Sequence, residues 1–182
     1  AYIKAHDALQ HPNARKAINM ISGAEGAKYN TLFGGGIFNS YDKHPDKVVH
    51  SKRYSSAAAG IGQFMPNTWD AVSKKLGLKD FSPRSQDLGI IHLMQQRGVD
   101  PTQSMTRQMA ARLAPEWASL PTMSGNSYYG QPVKTWGELM KFYNSKPSVD
   151  KINLIKNDKE PLVIPTIRKT EPKPKSLLSI FQ

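Results

Sequence analysis

Ala14-Arg-Lys-Ala-Ile-Asn-Met-Ile-Ser-Gly-Ala-Glu-Gly26 is the stretch whose reading decides the fold. Ala14, Ala17, Ile18 and Ile21 fall at i, i+3, i+4 and i+7, which makes one apolar face of a helix. Gly26 has no Cβ and can take the left-handed conformation that ends a helix. Glu25 then stands in the last turn, beside unpaired carbonyls that carry partial negative charge. That charge, and any burial, favour the neutral acid. A Glu held partly protonated near neutral pH is what a general acid requires. The plainer reading of this stretch alone is a solvated Glu at a helix end, so the decision falls to the rest of the chain.

The chain has 182 residues, enough for one main domain and a tail. No apolar run reaches the ~18 residues a bilayer span needs, and no secretory signal opens the chain. Its start at Ala1 suits a processed product or an excised module. There is no Cys, which excludes disulfides and thiolate metal sites. Lys and Arg number 25 against 14 Asp and Glu, a net charge of +11 that points to a polyanionic partner such as nucleic acid, an anionic membrane surface or the bacterial wall. The basic residues are scattered, without the helix-turn-helix or aromatic-basic interleaving of nucleic-acid readers, so no nucleic acid is expected.

Residues 1–13 are a weakly patterned lead-in, with Asn13 the expected N-cap of the first helix. Ile37-Phe38 and Val48-Val49-His50 are short β-type runs around a loop, which predicts a small antiparallel sheet or irregular lobe over about 32–55. Pro66 opens a helix carrying Trp69, Val72 and Leu76 and closed by Gly77. Ser82-Pro83 opens the next, with Leu88, Ile91 and Met94 on one face. Asp100 with Gln103 reads as a capping box before Met105, Met109 and Leu113, and Thr135 with Glu138 as another before Leu139, Met140 and Tyr143. Trp69, Trp117 and Trp136 are expected in the core. From Ser145 on, recurrent Pro and Lys predict an extended linker or docking tail over 145–182. The domain proper is therefore 14–144, and the fold class α+β, mainly helical.

A second stretch, Ser55-Ser-Ala-Ala-Ala-Gly60-Ile-Gly62-Gln63-Phe64-Met-Pro66, combines small residues with an amide. Gln63 offers donors and an acceptor that suit sugar hydroxyls or acetamido groups. Tyr54 and Phe64 are candidates to face sugar rings, and Ser55 joins them as a candidate contact. A tight turn capped by Gln63 is the alternative. His44 and His50 match no ligand spacing and have no Cys or acidic helper, so neither a metal nor another cofactor is expected.

Taken with Glu25, this stretch resembles the goose-lysozyme and lytic-transglycosylase superfamily, whose members follow a helix-terminal catalytic Glu with a Gly-x-x-Gln element, here Gly60 to Gln63. More narrowly, the chain resembles the bacteriophage lambda lysozyme family. Matching blocks include Ile21–Gly26, Phe33-Gly-Gly35, His44-Pro45, Leu76 to Pro83, Ser85-Gln-Asp87, Trp117-Ala-Ser-Leu-Pro121 and Tyr129-Gly-Gln131. They run in order over about residues 17–143. Two departures stand out: Ile61-Gly62 replace an Arg-Tyr type of pair, and Asn39-Ser40 stand where relatives often carry Asp, which argues against a second catalytic carboxylate in that loop.

The resemblance implies a two-lobed lysozyme-like fold with a cleft, and cleavage of the β-1,4 bond between N-acetylmuramic acid and N-acetylglucosamine. Glu25 is then the catalytic acid, and Tyr54, Ser55, Gln63, Phe64, Tyr129 and Gln131 the substrate contacts, with Tyr128 competing for the role of Tyr129. Lytic transglycosylases leave 1,6-anhydro ends and need no second carboxylate. The implied partner is peptidoglycan, reached in the host periplasm and wall. The Pro/Lys tail suggests docking onto phage structural proteins and a place in the virion, as a tail or injected component. The alternatives are a hydrolytic lysozyme or endolysin for host lysis, and a non-catalytic wall-binding virion module.

Overall fold

The computed structural model describes residues 1–145, so the expected tail lies, beyond Ser145, outside the described residues. The helix read from the opening stretch spans Pro12–Glu25 (α2) and ends at Gly26, φ 61° and ψ 35°. There Gly26 N donates to Gly23 O and Ala27 N to Ser22 O, which satisfies carbonyls that the helix leaves unpaired. At the other end the N-cap is His11, not Asn13: His11 Nδ1 accepts from Asn13 N at 3.1 Å. Pro12 lacks an N–H and fits the first helical position, so the cap moves back to the residue before it. Asn13 instead donates through its side chain to Thr102 O.

The weakly patterned lead-in forms its own helix, Tyr2–Leu9 (α1). Only Ala5 and Ala8 are buried, against the later helix Pro83–Gln96 (α4), so its apolar stripe is too narrow to register as periodicity. Between α2 and α4 lie the small lobe and the helix Pro66–Leu76 (α3), which ends at Gly77 as expected. Trp69, Phe64 and Phe81 meet edge to face with ring centroids 4.7 to 6.1 Å apart and form the aromatic core under α3. Every residue of α4 from Ser85 to Met94 is buried, including Gln86, Asp87 and His92. A helix covered all round is a central strut.

The small lobe carries a two-stranded antiparallel sheet, Val49–His50 (β1) with Ser55–Ser56 (β2), in the register Val49 to Ser56 and His50 to Ser55. Ile37 contributes one bridge to Thr31, and Ala59 bridges Leu32 and Phe64. The helix Arg107–Leu113 (α5) starts later than its expected cap. Asp100 spends its carboxylate on Thr102 N and Oγ1, and Thr106 caps the helix by accepting from Met109 N. The chain is held off helix at Met105, which is buried and donates its N–H to Tyr143 Oη. The last helix, Trp136–Tyr143 (α6), has both halves of the expected capping box, each at 3.1 Å. It buries Leu139 and Tyr143 against α2, while Trp136 and Met140 are half-buried.

The α2–α6 contact is close at Gly23, where an added Cβ would lie 2.2 to 2.7 Å from Phe142 Cγ, Cδ1 and Cβ. Ala is the better helix former by about 1 kcal/mol, but overpacking costs about 1–3 kcal/mol. Because Phe142 Cβ itself is in the way, ring rotation cannot relieve the clash. Gly23→Ala should therefore lower the urea midpoint, with a net loss of roughly 1 kcal/mol. An unchanged or raised midpoint would show that the two helices do not pack this closely.

Candidate active site

Glu25 is 9 % exposed, and its Oε1 accepts from Ser119 Oγ at 3.1 Å. Two residues earlier, the Trp117 indole donates through Nε1 to Gly62 O at 3.0 Å. One three-residue segment thus touches Glu25 at one end and the Gly60–Gln63 turn at the other. Its Cα atoms span at most about 7 Å, so the acid and the turn are drawn to the same place.

That turn is built tightly. Gly60 has φ +81°, and a Cβ there would meet Gln86 Oε1 at 2.3 Å. Gln86 is fully buried on α4; it accepts from Ile61 N and donates to Tyr29 O and Phe81 O, all within 3.0 Å. Gln63 has φ 49°, a left-handed conformation that few non-glycine residues adopt, and such strain gathers at functional sites. Its Nε2 donates to Gly60 O and Thr31 O, so its amide donors hold the turn together.

Next to Gln86, Asp87 binds Arg15 Nη2 through Oδ2 and accepts from the Tyr29 hydroxyl at 2.8 Å, while Arg15 Nη1 donates to Tyr29 Oη. Burial first, then Asp87, pushes the Tyr29 hydroxyl far above its ordinary pKa. Burial works against the Arg15 charge, but Asp87 and Tyr29 outweigh it and hold the guanidinium protonated. This triad and Gln86 escape sequence reasoning, although both α4 residues stand in the Ser85-Gln-Asp87 block. Ser119 escapes it too, inside the Trp117–Pro121 block.

Most of the other candidates have their own local partners. Phe64 is 2 % exposed with its ring among Trp69 and Phe81, so it offers no face to a sugar. Tyr54 is half-buried at the tip of the β1–β2 hairpin, and Ser55 is exposed with its hydroxyl on His50 Nδ1. Tyr129 donates to Pro115 O and packs against the exposed Tyr128 ring at 4.7 Å. Gln131 Nε2 is buried with no hydrogen-bond partner among the described residues. Of the indoles, Trp69 and Trp117 are buried as expected, and Trp136 is half-buried.

His44 is buried; Nε2 donates to Phe64 O at 2.7 Å and Nδ1 accepts from Asp46 N at 3.0 Å, which fixes one neutral tautomer and leaves no ring nitrogen for a metal. Asp42, Asp46, Asp70 and Asp80 border a cavity of about 550 Å³ whose lining does not include Glu25. Burial holds the His44 pKa below its ordinary 6.5, against the upward pull of Phe64 O, Asp46 and Asp70. The unfolded chain therefore takes up this proton first as the pH falls. Stability should be fully present above about 6.5 and fall as the pH drops toward the folded value. His44→Gln should flatten that part of the dependence when urea midpoints are compared at pH about 7.5 and about 5. An unchanged slope would contradict the buried neutral ring.

A family model for endolysins matches residues 8–149. The endolysin of Escherichia phage lambda is 37% identical over 133 residues, which are 65% of this chain and 82% of that protein. The endolysin of Escherichia phage P2 is 31% identical over 121 residues, 62% of this chain and 71% of that one. A structure of bacteriophage lambda lysozyme complexed with a chitohexasaccharide superposes with a TM-score of 0.64 at 35% identity, over 72% of this chain and 92% of that one. A second structure of lysozyme from bacteriophage lambda gives 0.61 at 30% identity, over 72% and 89%. The helical body with its small sheet lobe is thus a lysozyme-like fold, and the chain belongs to the endolysin family, in its lambda lysozyme-like branch.

Proposed function

We propose that this chain cuts the glycan strand of bacterial peptidoglycan as a lytic transglycosylase, with Glu25 as its acid and base. Glu25 gives its proton to the glycosidic oxygen as the C1–O4 bond breaks. The carboxylate then takes the proton of the muramoyl 6-hydroxyl, whose oxygen bonds to C1 and closes a 1,6-anhydro ring. The nucleophile is part of the substrate and gains effective concentration that external water lacks. Glycosidases that use water or a covalent intermediate pair two carboxylates ~5–9.5 Å apart. The observation that carries the one-acid reading is the placing of carboxylates: Glu25 is buried on Ser119, while Asp42, Asp46 and Asp70 border a cavity whose lining does not include Glu25.

The relative solved with a chitohexasaccharide supports a glycan ligand here. Gln63, Tyr129, Gln131, Tyr54 and Ser55 remain the proposed substrate contacts; Phe64 acts from the core by shaping the turn. A second reading, hydrolysis by water, shares Glu25 and differs only in the nucleophile. The relatives named endolysin favour action in host lysis. The virion placement, and docking on phage structural proteins, rest on the composition of 145–182 alone.

Glu25→Gln keeps the shape and the acceptor for Ser119 Oγ but has no proton to give. It should retain wild-type circular dichroism and lose wall clearing by about 10²–10⁴-fold. Clearing at the normal rate by the purified variant would overturn the assignment. Ser119→Ala removes the hydroxyl that donates to Oε1 and should slow clearing by up to about tenfold, since an ordinary hydrogen bond contributes ~0.5–1.5 kcal/mol.

A further inference from the structure

A cavity of about 290 Å³ lies between the first turn of α5, the 121–125 hairpin tip and the start of α6. The mechanism above does not use it. Arg107 and Lys134 both line it, and no carboxylate does. Neither cation has an ion-pair or hydrogen-bond partner for its side chain among the described residues. The hydroxyls of Thr122 and Ser124, 3.0 Å apart, line it too, and Val133 and the half-buried Trp136 add apolar surface. Pro121, at its edge, is two residues from Ser119, the donor to Glu25. The cavity therefore opens within about 7 Å of chain from the acid's own partner.

We propose that this cavity binds the carboxylate-bearing peptide stem that hangs from a muramoyl unit beside the cleavage point. The proposal rests on the reading that the substrate is peptidoglycan. A neutral sugar would leave two cations without counterparts, whereas a peptide with free carboxylates meets both with charge-assisted bonds. Its short aliphatic side chains suit Val133 and the indole, and its amides suit the hydroxyls. The volume sits at the lower end of small-molecule sites, ~300–1,000 Å³, which fits part of a short peptide and not a further run of glycan. Stem recognition then sets specificity, favouring strands that carry peptides over bare ones.

The test compares wild type, Arg107→Glu and Lys79→Glu on peptidoglycan strands with stems and on the same strands stripped by an amidase. Arg107 is exposed at the first position of α5, where an acid is favourable, so the fold tolerates the change. Lys79 lies at the other cavity and carries the same change in net charge. Arg107→Glu should lower kcat/KM on stemmed strands about tenfold, as for one lost charge-assisted contact, and leave stripped strands unaffected. Lys79→Glu should match wild type on both. A soluble muramoyl tetrapeptide should shift the Trp136 indole N–H resonance in wild type and not in Arg107→Glu. Equal loss on both substrates, no loss on either, the same loss in Lys79→Glu, or a silent indole would each overturn the proposal. Wild type that cuts neither strand would instead refute the peptidoglycan reading, and the titration would still decide whether the cavity takes the peptide.

Discussion

The hydrogen bond from Ser119 to Glu25 is the contact on which the site depends. A carboxylate at the C-terminal end of a helix meets the partial negative charge of the last carbonyls and, when buried, loses its water as well. Against both effects, the Ser119 hydroxyl, donating to Oε1 at 3.1 Å, keeps the side chain in place. The turn at Gly26 ends α2 directly after Glu25. The segment 117–119 completes the arrangement by carrying both the donor and the indole that grips Gly62.

Behind that contact stands α4. Gln86 and Asp87, adjacent on this helix, hold one residue from two sides: Gln86 binds the Tyr29 carbonyl and Asp87 the Tyr29 hydroxyl. Tyr29 follows Glu25 by four residues, so the strut fixes the chain leaving the acid. The same Gln86 binds Ile61 N in the glycine turn, and the same Asp87 binds Arg15 in α2. Such a network is costly if any member is left unpaired, because each buried polar group without a partner loses ~1–3 kcal/mol. With all members satisfied it gives one register between α2, α4 and the turn. That rigidity lets Gln63 persist in its strained conformation.

The long helices were legible because each combines a periodic stripe with a local stop: α2 with Gly26, α3 with Gly77, α6 with its capping box. The position of Glu25 in the last turn of α2 was legible for the same reason, since it depends only on the stretch around it. Where two local signals compete, tertiary contacts decide. Asp100 and Thr106 are both good caps, and the Met105–Tyr143 contact selects the second. Helix α1 hides because two alanines bury little apolar area, and β2 hides because Ser55-Ser56 has no strand preference of its own. Phe64 next to Gln63 looked like a surface ring, but the left-handed turn at Gln63 sends it into the core. Ser119 and Gln86 act across 94 and 25 residues, a separation no local pattern reports.

The central claim is that one buried acid suffices because the sugar supplies its own nucleophile. Digestion of purified peptidoglycan in water enriched in heavy oxygen, followed by mass spectrometry of the released fragments, tests it most directly. The account predicts 1,6-anhydro ends, one water lighter than reducing ends and free of the label. Reducing ends that carry the heavy oxygen at C1 would contradict it and assign the attack to water.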